Sequence, residues 1–148
     1  MKVCLVNPTG VENTNASYPH GIIALHAAIK DAGHEVEIFD CCLPGQNPST
    51  DYLNSFDVVG ISVMTTQLLH GIEIANNLNK NVRVVWGGIH CLFDPLSLVN
   101  RFHDHFVIGG EGEAPMVKLL DYFEGKEDLE AIRETKGISF YQDQPIMN

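Results

Sequence analysis

The segment that most constrains this chain is Asp57 to Met64, DVVGISVM, which is β-branched and apolar almost without a break. A strand that is apolar on both sides must be covered on both faces, and parallel sheets clothed by helices are the usual way to do that. The rest of the chain alternates to match. Lys2 to Val6 reads as a buried strand, Glu35 to Phe39 as a more polar alternating one, Val82 to Trp86 (VRVVW) as another apolar one, and Phe106 to Ile108 as a short fifth. Between them, helical spacing runs from Gly21 to Ala32 (Ile22, Ile23, Leu25, His26, Ile29), Leu68 to Leu78, Asp94 to Phe102 and Ala114 to Phe123. Gly33 is placed to end the first helix in the left-handed conformation. Asp94 and Pro95 are placed to cap and open the third. Leu129 to Glu134 reads as a shorter helix, and Ile138 to Tyr141 as a final edge strand.

Strands and helices in alternation predict parallel strands joined by right-handed crossovers. The chain of 148 residues is long enough for one such domain with its own core and no staple. The polar second strand belongs at an edge and the two most apolar strands near the centre. The order 2-1-3-4-5 satisfies both, so the expectation is a doubly wound, three-layer α/β fold with flavodoxin-like order. In that order the topological switch falls between the first and third strands, and ligands bind outside the carboxyl ends of the strands there. The segments to inspect are therefore Asn7 to His20, Met64 to Gln67, Gly87 to Cys91 and Gly109 to Glu113.

Several classes are excluded. The formal net charge of −10 disfavours nucleic acid and anionic membrane, both of which need clustered Lys and Arg. No stretch approaches the ~18 apolar residues of a membrane span. The run after Met1 is too short for a signal peptide, so the expectation is a cytoplasmic protein. Cys4, Cys41, Cys42 and Cys91 form no CxxC pair and match no zinc pattern, so they are expected to be reduced thiols. There is no GxSxG elbow and no Walker loop, which points to a binding domain more than a self-sufficient enzyme.

The four loops carry the candidates. NPTGVENTNASYPHG is long for a βα connection and reads as either functional or mobile. Ser62, Thr65 and Thr66 stand at the switch point, where small hydroxyls reach ligand amides; Thr65 or Thr66 capping the next helix is the competing role. Gly87 and Gly88 let a ligand approach the backbone, although a tight turn alone needs one glycine. His90 follows as a candidate metal ligand, against the ordinary role of a lone histidine in a core or on a surface. In IGGEGEAP, Glu111 and Glu113 would repel phosphate but suit the positive end of a helix or a ribose hydroxyl.

With these loops in view, the chain resembles a known family. YPHGIIALHAAIKDAGHEVEIFD, DVVGISVMTT, VVWGGIHCLFDP and FVIGGEGEAP are similar, in the same order, to the cobalamin (vitamin B12)-binding domain that forms the N-terminal part of cobalamin-dependent radical S-adenosylmethionine enzymes. KGISFYQDQPIMN resembles the stretch leading into their radical domain. The resemblance implies residues 1–125 as a cobalamin-binding core and 126–148 as an extension toward a radical domain that this chain lacks. It implies a corrin ring over the carboxyl ends of the strands and a nucleotide tail beside the central ones, its base detached from cobalt. Ser62, Thr65 and Thr66 would then contact the tail or the corrin amides, with Met64 among the cofactor-binding positions. Gly87 and Gly88 would give the tail room, and Glu111, Gly112 and Glu113 would border the nucleotide or ring side chains.

Two departures matter. The DxHxxG motif that supplies the lower cobalt ligand is replaced by Asn7-Pro8-Thr9-Gly10. That leaves His20, His90 or no residue for the role, and His90 is carried as a cofactor-binding and cobalt-ligating candidate. The CxxxCxxC run for an iron–sulfur cluster is also absent, so the cluster and S-adenosylmethionine would enter only through another domain or protein. The leading expectation is a cobalamin-binding module of, or partner to, a radical methyltransferase-like enzyme. The rivals are a cofactor-free interaction or substrate-recognition domain of the same fold, and a flavodoxin-like FMN or nucleotide binder. Against the last, no Ser/Thr-rich phosphate loop follows the first strand.

Overall fold

A computed structural model describes residues 1–10 and 19–148. The strands are β1 (Lys2–Asn7), β2 (Glu35–Asp40), β3 (Val58–Ser62), β4 (Arg83–Gly87), β5 (Phe106–Ile108), β6 (Ile138–Gln142) and β7 (Gln144–Ile146). The helices are α1 (His20–Asp31), α2 (Thr50–Leu53), α3 (Leu68–Asn77), α4 (Ile89–Phe93), α5 (Pro95–Val99), α6 (Glu113–Phe123) and α7 (Leu129–Arg133), with a 3₁₀ turn at Thr65–Gln67. All strands form one sheet in the order β2-β1-β3-β4-β5-β6-β7. The first five are parallel and carry the expected 2-1-3-4-5 order, and β6 and β7 add antiparallel. Most of the long loop expected between Asn7 and His20 lies outside the described residues.

The sheet separates two cores, as a doubly wound fold requires. Cys4, Val6, Val59, Ile61, Val84, Trp86 and Val107 face the layer of α2 to α5. Val3, Leu5, Val58, Val85 and Ile108 face the layer of α1, α6 and α7. The alternation within each strand is the period of two that sends successive side chains to opposite faces. At the outer edge, β2 exposes Glu35 and Glu37, charges that blunt an open strand edge.

Local signals place the helix ends. Gly33 follows α1 at φ +89°, and its N–H reaches the carbonyl of Lys30. Asp94 accepts from the N–H of Ser97, with Pro95 opening α5. The expected helix over Asp94 to Phe102 is shorter, ending at Val99. The expected cap by Thr65 or Thr66 does not form: Met64 and Gln67 precede the 3₁₀ turn and α3, and neither threonine side chain caps them.

One edge differs from expectation. β6 is not the last strand, because β7 pairs outside it and places Pro145 opposite Tyr141. Proline lacks the N–H that an inner strand must donate, so it is tolerated at a sheet edge. Asp143 makes the turn at φ +57°. Residues 126–148 share the second core, to which they add Ile132, Ile138 and Phe140.

Beneath α5, Trp86 Nε1 donates to His105 Nδ1 at 3.0 Å while Phe102 stacks on the imidazole with centroids 4.5 Å apart. Burial lowers the His105 pKa from 6.5 to about 4, partly opposed by the neighbouring Asp104 carboxylate. The unfolded chain therefore takes up a proton that the folded chain refuses. Stability from this group is complete above pH 6.5 and is lost as pH falls toward 4. In urea titrations between pH 7 and 5, His105→Asn, which keeps an acceptor for Trp86, should lose less stability than the parent. The slope difference should approach ~1 kcal/mol per pH unit, and parallel slopes would contradict a buried neutral imidazole.

Candidate functional site

At the carboxyl end of the sheet, between α1 and α6, lies a cavity of about 480 Å³. That falls within the ~300–1,000 Å³ usual for small-molecule sites. Its origin is visible in the strand register. On this face β3 presents Val58, then Gly60, then Ser62; β4 presents Val85 and then Gly87; β5 presents Phe106 and Ile108, with Gly110 two residues beyond its end. Toward the carboxyl end each of these three runs passes from a packed apolar residue to a small one. The layer is filled at the amino end and open at the carboxyl end. Leu5, Ile22, Leu25 and Met116 complete the walls, while Ile61 and Trp86 border the cavity with their side chains packed in the opposite core.

Of the residues expected at the site, Ser62, Gly87, Gly88, Glu111, Gly112 and Glu113 line this cavity together. Glu113 opens α6, where its charge suits the positive end of the helix. The two adjacent glycines serve different ends. A Cβ at Gly87 would meet nothing within 4 Å, so its absence leaves room at the mouth. A Cβ at Gly88 would lie 2.7 Å from both the N and the O of Val63, and Gly88 adopts φ +92° with ψ 179°. That region is essentially glycine-only. Gly88 is thus required by the chain's own backbone, as the alternative of a tight turn needing one glycine has it.

The close approach at Gly88 belongs to a stapled rim. Val63 N–H donates to the carbonyl of Gly87 at 2.9 Å, and His90 N–H donates to the carbonyl of Val63 at 3.0 Å. On this rim but outside the cavity stand Met64, Thr65 and Thr66, all exposed, and His90, which is buried. Ser97 Oγ donates to the carbonyl of Asp94 at 2.9 Å, so it accepts from His90 Nε2, 3.1 Å away. In the neutral ring Nδ1 is then the acceptor, from Thr65 Oγ1 at 3.2 Å. Both ring nitrogens of His90 are engaged, and Thr65 presents its lone pairs outward. Thr66 lines a second hollow, with Thr9, Gly10 and His70.

A buried amide network also holds the site, and no sequence motif announces it. Gln67 Nε2 donates to Asn7 Oδ1 at 3.1 Å and to the carbonyl of Pro8 at 2.6 Å, and Met64 N–H donates to Gln67 Oε1 at 2.8 Å. Asn7 Nδ2 donates to Asp40 Oδ1 at 2.8 Å. The exits of β1, β2 and β3 are thereby tied at the switch point. Among the described residues no group of three or more His, Cys, Asp or Glu could hold a metal ion. The cysteines are free thiols. Burial pushes Cys4 and Cys91 up to about 12 and Cys41 to about 11, far from the thiolate a nucleophile needs. No helix of the described residues is long and apolar enough to cross a membrane.

Residues 10–120 match the B12 binding domain family. The chain is 29% identical over 138 residues to the uncharacterized methyltransferase PH0819 of Pyrococcus horikoshii, covering 88% of this chain and 29% of that protein. Its fold is similar to that of the radical S-adenosylmethionine methyltransferase TsrM from Kitasatospora setae, solved with cobalamin and a [4Fe-4S] cluster bound. There the TM-score is 0.76 at 22% identity, over 99% of this chain and 28% of TsrM. It is also similar to the cobalamin-dependent S-adenosylmethionine radical enzyme OxsB with aqua-cobalamin bound, at TM-score 0.79 and 20% identity, over 99% of this chain and 22% of OxsB. This chain thus spans less than a third of the length of each of these proteins.

The unequal glycines give a direct test. Gly88→Ala should cost ~1–3 kcal/mol in chemical denaturation, because it forces a side chain into a glycine-only backbone conformation. Gly87→Ala should change stability by less than ~0.5 kcal/mol. Equal effects would mean that the two positions do the same work.

Proposed function

We propose that this chain, which belongs to the B12-binding domain family, holds cobalamin with its nucleotide arm in the cavity between α1 and α6. We further propose that it serves as the cobalamin-binding module of, or partner to, a radical S-adenosylmethionine methyltransferase-like enzyme. The observation that carries the first reading is the open end of one sheet face: Ser62, Gly87 and Gly110 leave a slot beyond strands that are otherwise packed, with Leu5 closing over Gly60 beneath it. A scaffold kept only for interaction has no need of such a slot. The mouth carries Glu111 and Glu113, which disfavour the doubly charged phosphate monoester of FMN more than the singly charged phosphodiester of a cobalamin arm.

Bound cobalamin would supply group-transfer or rearrangement chemistry at cobalt. The protein's part is to seat and orient it. Gly87 and Gly110 admit the arm, and Ser62 offers it a hydroxyl. Glu111, Gly112 and Glu113 border the arm or the corrin side chains, where a carboxylate accepts from a hydroxyl or an amide. Gly88 holds the rim in shape. Met64, Thr65 and Thr66 meet the edge of the corrin, with Thr65 accepting from its amide groups. His90 acts through Thr65. To ligate cobalt it would have to give up either Thr65 or Ser97, so the arrangement supports a positioning role over the cobalt-ligand role expected from the sequence. Iron–sulfur and S-adenosylmethionine chemistry belongs to a partner domain or protein.

Purified protein mixed with hydroxocobalamin and freed of excess ligand should retain the corrin visible band. Absence of the band from a folded sample would overturn the reading. Gly87→Val narrows the slot where a Cβ meets no protein atom, so it should weaken retention at least ~10-fold, about 1.4 kcal/mol, while circular dichroism stays unchanged. Undiminished retention would put the arm elsewhere.

A further inference from the structure

We infer that the slot discriminates among cobamides by their lower base, taking an apolar benzimidazole in preference to a purine. The inference rests on the reading that the nucleotide arm enters this cavity, and it concerns what the inner end of the cavity accepts. The inner walls are Leu5, Ile22, Val85, Ile108 and Met116, all at most 4% exposed, with Leu25 above them on α1. None has a hydrogen-bonding group. The polar side chains of the lining, Ser62, Glu111 and Glu113, belong to the strand ends and the start of α6, at the mouth.

The floor of the cavity offers no polar partner either. Trp86 borders the cavity, but its indole N–H is spent on His105 in the opposite layer. β3 is paired in parallel with β1 on one side and β4 on the other, so the backbone of the floor is committed to the sheet. Among the described residues no buried side-chain nitrogen or oxygen lacks a partner, so none waits for a ligand.

Consider two bases at the end of the same arm. When detached from cobalt, a dimethylbenzimidazole exposes one ring nitrogen and is otherwise hydrocarbon. An adenine carries that nitrogen together with two further ring nitrogens and an exocyclic amine. Each added group would leave water without gaining a partner, and unsatisfied burial of even one is enough for roughly tenfold discrimination. The methyl groups of the benzimidazole gain contact with the aliphatic walls instead.

The experiment is equilibrium dialysis of the full chain against three corrinoids: cobalamin, adeninylcobamide and tail-less cobinamide, each read by its visible absorbance. Cobalamin should bind tightest, adeninylcobamide at least ~10-fold more weakly, and cobinamide more weakly than cobalamin. Leu25→Gln, at a half-buried wall position that tolerates a polar group, should narrow the gap between the first two. Equal binding of cobalamin and adeninylcobamide, both above cobinamide, would overturn the base selectivity while leaving the proposed function standing. Equal binding of cobalamin and cobinamide would overturn it by removing the arm from the slot. If no corrinoid binds, the underlying function fails and the selectivity with it.

Discussion

On neighbouring parallel strands, every second residue points into the same layer, so the residue type at those positions decides whether the layer is solid or hollow. In this protein β3, β4 and β5 each change type toward the carboxyl end, β4 one alternation later than β3, since Gly60 pairs with Val85 and Ser62 with Gly87. Val58, Val85 and Ile108 pack against α1 and α6, Leu5 closes over Gly60, and beyond them Ser62, Gly87 and Gly110 do not fill the space. A single glycine would make a dimple. Ser62 and Gly87, paired on adjacent strands, make a slot together with Gly110 beyond β5, and parallel pairing holds the register of the first two. The opposite face has no such change: Val59, Ile61, Val84, Trp86 and Val107 are all buried in a continuous core.

This also explains what could be read in advance and what could not. DVVGISVM and VRVVW demand helices on both faces, and from that demand the layer order and the switch point follow. The site's small residues were legible because they interrupt apolar strands. The walls were not. Leu5, Val85 and Ile108 look like any core positions, and only the pairing of their strands shows that their outer neighbours leave them facing a void. Gly87 and Gly88 give the same sequence signal, yet a Cβ at Gly87 would meet nothing, whereas Gly88 has a positive φ and no room for a Cβ against Val63, a distinction that only the folded backbone shows. The short helices α2 and α4 carry too few residues to show a helical period, and such segments are fixed by tertiary packing rather than propensity. The strand β7 was hidden by Pro145, which argues against an inner strand but suits an edge.

Polar residues at the switch point act in chains, which is why a residue-by-residue reading assigned some of them too directly. His90 stands out in WGGIH as a free imidazole. Folded, it lies between Thr65 and Ser97, residues 25 and 7 positions away, and the tautomer of its neutral ring follows from the hydroxyl that Ser97 donates to Asp94. What reaches the surface is the outward-facing oxygen of Thr65. Gln67 likewise fixes Met64 and Pro8 on either side of the switch point. Both networks make loop ends rigid before any ligand arrives, and preorganisation of that kind lowers the ordering cost of binding.

The slot's chemistry then divides by depth. Its mouth has a hydroxyl and two carboxylates, and its interior has only hydrocarbon walls. A ligand that is polar at both ends would lose water inside without recovering the lost hydrogen bonds, and one that is apolar throughout would waste the mouth. The geometry suits a molecule whose polar body stays at the sheet's carboxyl edge while an arm carries an apolar group inward. Apolar walls facing solvent are also a cost to the empty fold, which burial of such a group would offset. Folding and ligand binding are therefore coupled through the same few side chains, because any occupant that covers Ile22, Ile108 and Met116 binds only the folded chain and stabilises it by mass action.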